Sequence, residues 1–164
     1  MELSQKMQDA LNNQIKEELA SAYIYLSMAA YCESINMGGS ARWMAAQAQE
    51  EQAHAMKLYG YIHNRGGRVK LQALEQPPVE FDSVLDVFEK TLAHEQFITG
   101  CIHDLYALAV EEKDYASLGI LQWFVDEQVE EEDTAGNILE MLKMVGDKGQ
   151  ALFMLDRQLG QRGG

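Results

Sequence analysis

The run Glu50-Glu51-Gln52-Ala53-His54 concentrates residues that could do chemistry. On a helix, residues three and four apart share a face. Glu51 and His54 therefore point the same way, into a stripe that also holds Met44, Ala48, Leu58 and Tyr61. A carboxylate aimed into an apolar face requires a cation or a proton. Glu-x-x-His on a helix suits a metal ion. The motif is common by chance, and it gains force only if other helices send carboxylates to the same place.

The elements that would position it are helical. Ala, Leu, Met, Glu and Gln are abundant, the two prolines are adjacent at Pro77-Pro78, and no alternating run suggests a sheet. The first helix is predicted over about 4–36, capped by Ser4 and ended by Gly38-Gly39, with a stripe of Leu11, Ile15, Glu18, Ala22, Tyr25, Ala29 and Cys32. The second, over 41–65, is capped by Ser40, carries the opening run and stops at Gly66-Gly67. A third follows over 83–113, capped by Asp82 or Ser83, with Leu85, Phe88, Leu92, Glu95, Thr99, Ile102, Tyr106 and Ala109 as its stripe. Lys113-Asp114-Tyr115 is a tight junction to a fourth helix over 116–145, whose stripe is Ile120, Phe124, Glu127, Glu131, Thr134, Ile138, Met141 and Val145, with Glu130 one step off it. Gly146 ends this helix, and a short amphipathic one over 148–159 needs the bundle or a neighbouring chain to cover it. The connection over 67–82 is long enough to cross from one end to the other, which lets the second and third helices run parallel. The fold class is all-α: a four-helix bundle in one domain, with a long crossover and a short fifth helix.

Glu18 precedes Glu51 by 33 residues and Glu95 precedes Glu127 by 32, so two helix pairs facing each other would converge carboxylates on one point. Any single glutamate could sit at a stripe edge and bend out to water. Four interrupted stripes, none near a helix end, argue against that for the set. A buried salt-bridge network lacks cations, since no stripe position is Lys or Arg. A metal is the remaining neutraliser, and one His among several Glu suits iron or manganese better than structural zinc. Glu51 lies where it could bridge two metals.

The net charge of -13 argues against nucleic acid or an anionic membrane as partner, and no apolar run reaches membrane-spanning length. Cys32 and Cys101 are isolated in apolar helical patterns, read as buried free thiols. With an opening Met-Glu-Leu-Ser-Gln-Lys that lacks an apolar signal region, they fit a reducing cytoplasm.

Along nearly its whole length the chain resembles the non-haem ferritins of bacteria and archaea, members of the ferritin-like di-iron carboxylate family. The phrases that carry the likeness are Glu18-Leu-Ala-Ser-Ala-Tyr-Ile-Tyr25, Ala48-Gln-Glu-Glu-Gln-Ala-His54, His94-Glu95-Gln96, Leu121-Gln-Trp-Phe-Val-Asp-Glu-Gln-Val-Glu-Glu-Glu132 and Phe153-Met-Leu-Asp-Arg-Gln-Leu159. The resemblance implies iron storage in a hollow shell of 24 subunits, with ferroxidase activity in each. It implies that Glu18, Glu51 and His54 hold one iron, that Glu51 bridges to a second held by Glu95 and Glu131, and that Glu50, Glu127, Glu130 and Glu131 form a third position. Tyr25 and Gln128 match residues that orient ligands or donate an electron.

Departures from relatives matter too. Bacterioferritins carry Glu-x-x-His in the fourth helix and a haem-ligating Met after the bridging Glu; here those places read Glu127-Gln-Val-Glu130 and Gln52, so haem is not expected. The DNA-binding mini-ferritins lack the final short helix. Acids that line the three-fold channels of many ferritins fall at Leu118 and Leu121, which leaves iron another opening, or a channel lined elsewhere. If Leu121 lined a limiting pore, Leu121→Glu would speed uptake. His63, His94 and His103 lie off their stripes and fit surface or supporting roles. The competing readings are a peroxide-reducing protein of the rubrerythrin type, which commonly has an added Cys-rich iron domain, and a structural bundle that binds metal incidentally.

Overall fold

The computed structural model describes residues 2–146 and 149–162. Among them are five helices and no strand: α1 (Gln5–Ser34), α2 (Gly38–Asn64), α3 (Val84–Glu111), α4 (Tyr115–Val145) and α5 (Gln150–Leu159). The expected start of the last helix at residue 148 lies outside the described residues.

Local signals explain most ends. The Ser4 hydroxyl accepts from the Met7 amide and Ser83 from Asp86, two side-chain N-caps where the sequence placed them. Gly66 and Gly146, at φ 74° and 77°, supply the left-handed residue that stops α2 and α4. The α1–α2 turn differs from expectation. Asn36 takes the left-handed conformation at φ 60°, and Gly38 and Gly39 belong to α2. Ser40 is not its cap. A carboxylate from α5 does that job: Asp156 Oδ2 accepts from the Gly39 amide at 2.9 Å, and Oδ1 accepts from the Ser40 amide and hydroxyl at 2.7 Å each. Negative charge at a helix N-terminus is favoured by unpaired amides and the helix dipole. Gly39 is required here because a Cβ would lie 1.7 Å from the Asp156 carbonyl oxygen.

The crossover runs along α1. Asn12 donates to the Arg68 carbonyl at 2.9 Å and accepts from the Lys70 amide at 2.7 Å, Ser27 donates to the Pro78 carbonyl, and Tyr31 meets Phe81 edge-on at 5.3 Å. The loop thus travels from the N-terminal to the C-terminal end of α1. α3 starts at the end where α2 began, so the two run parallel as expected. α1 packs mainly on α2, α3 on α4, and α5 on α2.

The apolar interior is divided. One cluster gathers Met28, Trp43, Met44, Val87, Phe88 and Leu142, among others; the second gathers Met7, Leu11, Leu58, Ile62, Ile102, Leu121 and Phe124. Between them lies a buried polar layer of Glu18, Gln47, Glu51, His54, Glu95 and Gln128.

The stripes of α1 and α2 are buried as expected, save for Ala22 and Tyr61, which are half-buried. Those of α3 and α4 are rotated: Thr134 and Met141 are exposed, while Leu121, Gln128, Ala135, Leu139 and Leu142 of α4 and Val87, Thr91, Ile98 and Leu105 of α3 face inward. Their apolar residues cover more than one stripe, so spacing alone left the rotation open. Of the two cysteines, Cys32 is buried and Cys101 half-buried, both free.

Candidate metal centre

Each of the four long helices sends acids to the polar layer, and they form three overlapping donor groups. Glu18, Glu51 and His54 make the first; Glu51, Glu95 and Glu131 the second; His54, Glu127 and Glu131 the third. Within each group one donor atom per residue lies within 4.8 Å of the others. Glu51 belongs to two groups, which is the geometry a bridging carboxylate needs. His54 Nδ1 is 3.1 Å from Glu51 Oε2 and 3.9 Å from Glu18 Oε2, and its Nε2 is 3.8 Å from Glu127 Oε1.

Amides and a phenol hold these acids in place. Gln14 donates to Glu18 Oε1 at 3.1 Å. Gln47 donates to Glu51 Oε1 at 3.0 Å and to Glu131 Oε2 at 2.7 Å, tying α2 to α4. Gln128 donates to Glu95 Oε2 at 3.0 Å, and the Tyr25 hydroxyl donates to Glu95 Oε1. Glu18 Oε2, Gln47 Oε1 and Gln128 Oε1 are buried without a hydrogen-bond partner among the described residues. Buried oxygen atoms without a donor are what a cation would satisfy. Nine-tenths of such atoms are normally paired, so three around one point mark the site. The donor set of carboxylates, one imidazole and amide oxygens fits a hard divalent ion.

The electrostatics agree. Burial pushes the Glu51 carboxyl up to about 7; the His54 hydrogen bond opposes this, and nearby Glu18 adds to it. Burial and then the Glu51 charge raise Glu95 to about 7 as well, against the hydrogen bonds from Tyr25 and Gln128. Glu131 is pushed to about 9 by burial and by Glu95 and Glu51. For His54 burial works downward, but its contacts with Glu18 and Glu51 and their charges carry it up to about 11. Tyr25 is held well above its ordinary value by burial and by Glu95 and Glu51, so it stays a phenol. Without a metal, protons must offset the charge of this layer.

Glu18, Glu51, His54, Glu95, Tyr25 and Gln128 are buried together, and Glu127 and Glu131 are half-buried at the edge of the same layer. Glu50 and Glu130 are exposed and belong to no such donor group among the described residues. They still border a depression of about 350 Å3 with Glu127 and Glu131. His63 and His103 are exposed. His94 is half-buried, 2.7 Å from the Ser21 hydroxyl and edge-on to Tyr25 at 5.7 Å, with burial lowering its pKa so that it stays neutral.

Sequence reasoning missed Gln14 and Gln47, although the signal was present: both lie four residues before a core glutamate, and they are themselves 33 residues apart, like Glu18 and Glu51. The same interval from Glu95 reaches Gln128, so the second helix pair has an amide where the first has a bridging acid. The condition set for Leu121 is not met. Leu121 is fully buried in the apolar cluster beside the centre, with Leu118 half-buried against it. Leu121 therefore lines no pore, and Leu121→Glu would place a carboxylate inside the bundle instead of opening a route for ions.

Comparison with known proteins converges on one family. Residues 8–145 match the family described as "Ferritin-like domain". The chain is 38% identical over 160 residues to "Bacterial non-heme ferritin" of Staphylococcus aureus (strain USA300), covering 98% of this chain and 96% of that protein. The protein of the same name from Staphylococcus epidermidis is 39% identical over 160 residues. Among solved structures, an open pore ferritin from the hyperthermophilic archaeon Archaeoglobus fulgidus superposes with a TM-score of 0.96 at 50% identity, covering 98% of each chain. With the family matched across the four long helices and the acids of the inner layer converging in space, this chain belongs to the ferritin family.

Proposed function

We propose that this protein is a ferroxidase and iron store: each subunit binds Fe(II) as substrate, oxidises it to Fe(III), and passes the product to a mineral held inside a hollow shell of 24 subunits in the cytoplasm. The whole chain acts as one ferritin-like domain. The observation that carries this reading is the shared carboxylate, Glu51, common to a group with Glu18 and His54 and a group with Glu95 and Glu131.

The first group would hold one iron and the second another, with Glu51 between them. Oxygen draws one electron from each Fe(II), so two irons held together let it be reduced by a pair of electrons in one encounter. The chain's own residues set the rest. Gln47 keeps Glu51 and Glu131 at a fixed separation, while Tyr25 and Gln128 fix both oxygens of Glu95. Binding the cation discharges the protons that Glu51, Glu95 and Glu131 otherwise retain near neutral pH. Glu50, Glu127, Glu130 and Glu131 would form a third position, with Glu131 shared. That the Archaeoglobus fulgidus relative is described as an open pore ferritin supports passage of ions through openings between subunits. Buried Leu121 is no obstacle to such a route.

Aerobic Fe(II) loading followed by size-exclusion chromatography tests the whole reading. Iron should elute with a particle near 24 subunit masses and exceed the few ions per subunit that a binding centre alone could carry. Iron limited to the centre's own complement would refute storage. Oxidation unchanged in a Glu51→Ala/His54→Ala variant would refute the catalytic assignment.

A further inference from the structure

The depression outside the buried layer sets four carboxylates against an arginine. Glu50, Glu127, Glu130 and Glu131 border it, together with Trp43, Gln47 and Arg162. Arg162 is fixed on three sides: Nη2 pairs with Glu50 Oε1 at 3.0 Å, Nη1 donates to the Trp43 carbonyl at 3.3 Å, and the guanidinium lies 4.2 Å from the centre of the Trp43 ring. It is delivered by the end of α5, itself anchored where Asp156 caps α2 and where Arg42 donates to the Gly160 carbonyl at 3.1 Å. Gln47 is shared between this space and the buried layer, and it carries an oxygen that a cation on the outer side would also satisfy. It is 1% exposed, it borders the depression, and its Oε1 has no hydrogen-bond partner among the described residues.

We propose that Arg162 is a positioning residue that competes with a divalent cation for Glu50, an inference that rests on reading these acids as an outer cation position. A guanidinium is charged at every accessible pH, so this competitor cannot be removed by deprotonation. It is also held by Trp43 independently of Glu50. When a cation takes Glu50, Arg162 keeps its stacking and its carbonyl contact, and it recovers the carboxylate when the cation leaves. The exchange makes the outer position weaker and faster to empty than the buried pair, although its acids outnumber its bases.

The test is calorimetric titration of the metal-free assembled protein with Zn(II), which is redox-inert. In Arg162→Gln, binding beyond the first two equivalents per subunit should tighten by about twofold to fivefold, the worth of a partly exposed ion pair. The first two equivalents should stay within about twofold, as for a substitution outside their contacts. Arg162→Lys, which keeps the charge without the planar fork, should tighten it less. In a Glu50→Gln background Arg162→Gln should change nothing, because the contested carboxylate is gone. Outer binding unchanged by Arg162→Gln would overturn the proposal. So would equal tightening in the Glu50→Gln background, which would mark a general field effect rather than exchange. Loss of the two-equivalent step in the wild type would sink the di-iron reading instead, and the Arg162 response would still decide the exchange.

Discussion

The buried centre and the outer basin share Glu131 but are built on opposite principles. In the centre, Glu18, Glu51 and Glu95 are at most 1% exposed, each has an amide or hydroxyl donor, and burial raises Glu51, Glu95 and Glu131 toward protonation. In the basin, Glu50 and Glu130 are exposed, water screens them, and Glu50 is answered by an arginine. A fixed, dry, proton-loaded site favours a cation strongly once the protons leave. A wet, screened one holds its cation less strongly.

The most severe way to break this contrast is to remove the shared core. Glu51→Ala/His54→Ala should lower the initial rate of Fe(II) oxidation by at least about 100-fold, more than loss of an orienting residue costs a metal site. Stopped-flow absorbance would show it, and a rate near wild type would move the chemistry to the basin. Gln47→Leu tests the link between the two regions. With its donor to Glu51 and Glu131 gone, Zn(II) affinity of the inner pair should fall by about tenfold, read by calorimetry, with the helical content unchanged.

Protons offer a gentler probe. A carboxyl whose native pKa is raised keeps its proton where the unfolded chain has lost it, so the native state binds more protons and stability falls as pH rises. For Glu51 and Glu95 that window runs from 4.5 to about 7, and for Glu131 from 4.5 to about 9. His54, raised from 6.5 to about 11, contributes stability that is complete below 6.5 and declines as pH climbs toward 11. All four share one sign. The thermal midpoint of the metal-free protein should therefore fall steadily from pH 5 to pH 9, and bound Zn(II) should flatten the fall by replacing the protons. A midpoint that rises over this range would contradict the burial of the acids. The smallest effect is expected outside: Glu130→Gln should leave the initial oxidation rate within about twofold, as for an exposed substitution, and a larger loss would erase the distinction between the regions.

Much of this was legible in residue order. The four long helices, the Ser4 and Ser83 caps, the glycine stops at Gly66 and Gly146, the crossover and the interrupted stripes all follow from short-range rules that side-chain shape and backbone freedom impose. Glu18, Glu51, His54 and Glu95 stood out because a charge on an apolar face contradicts its surroundings. The rotation of α3 and α4 did not, since their apolar residues span more than one face and only the neighbours decide which is covered. The cap on α2 was invisible for a related reason: its carboxylate, Asp156, is 117 residues from Gly39.

By itself, then, the sequence determined where most of the helices start and stop, which acids oppose the core, and that the paired acids recur at intervals of 33 and 32 residues, because each depends on spacing along one chain segment. Only the tertiary structure decided which acids share a donor group, that Glu51 is common to two of them, that Glu50 and Glu130 face water, that Leu121 is core, and that Arg162 reaches Glu50. Those outcomes depend on helix rotation and on contacts between distant segments, and the physical quantities that follow from them, burial and charge proximity, exist only once the bundle has closed.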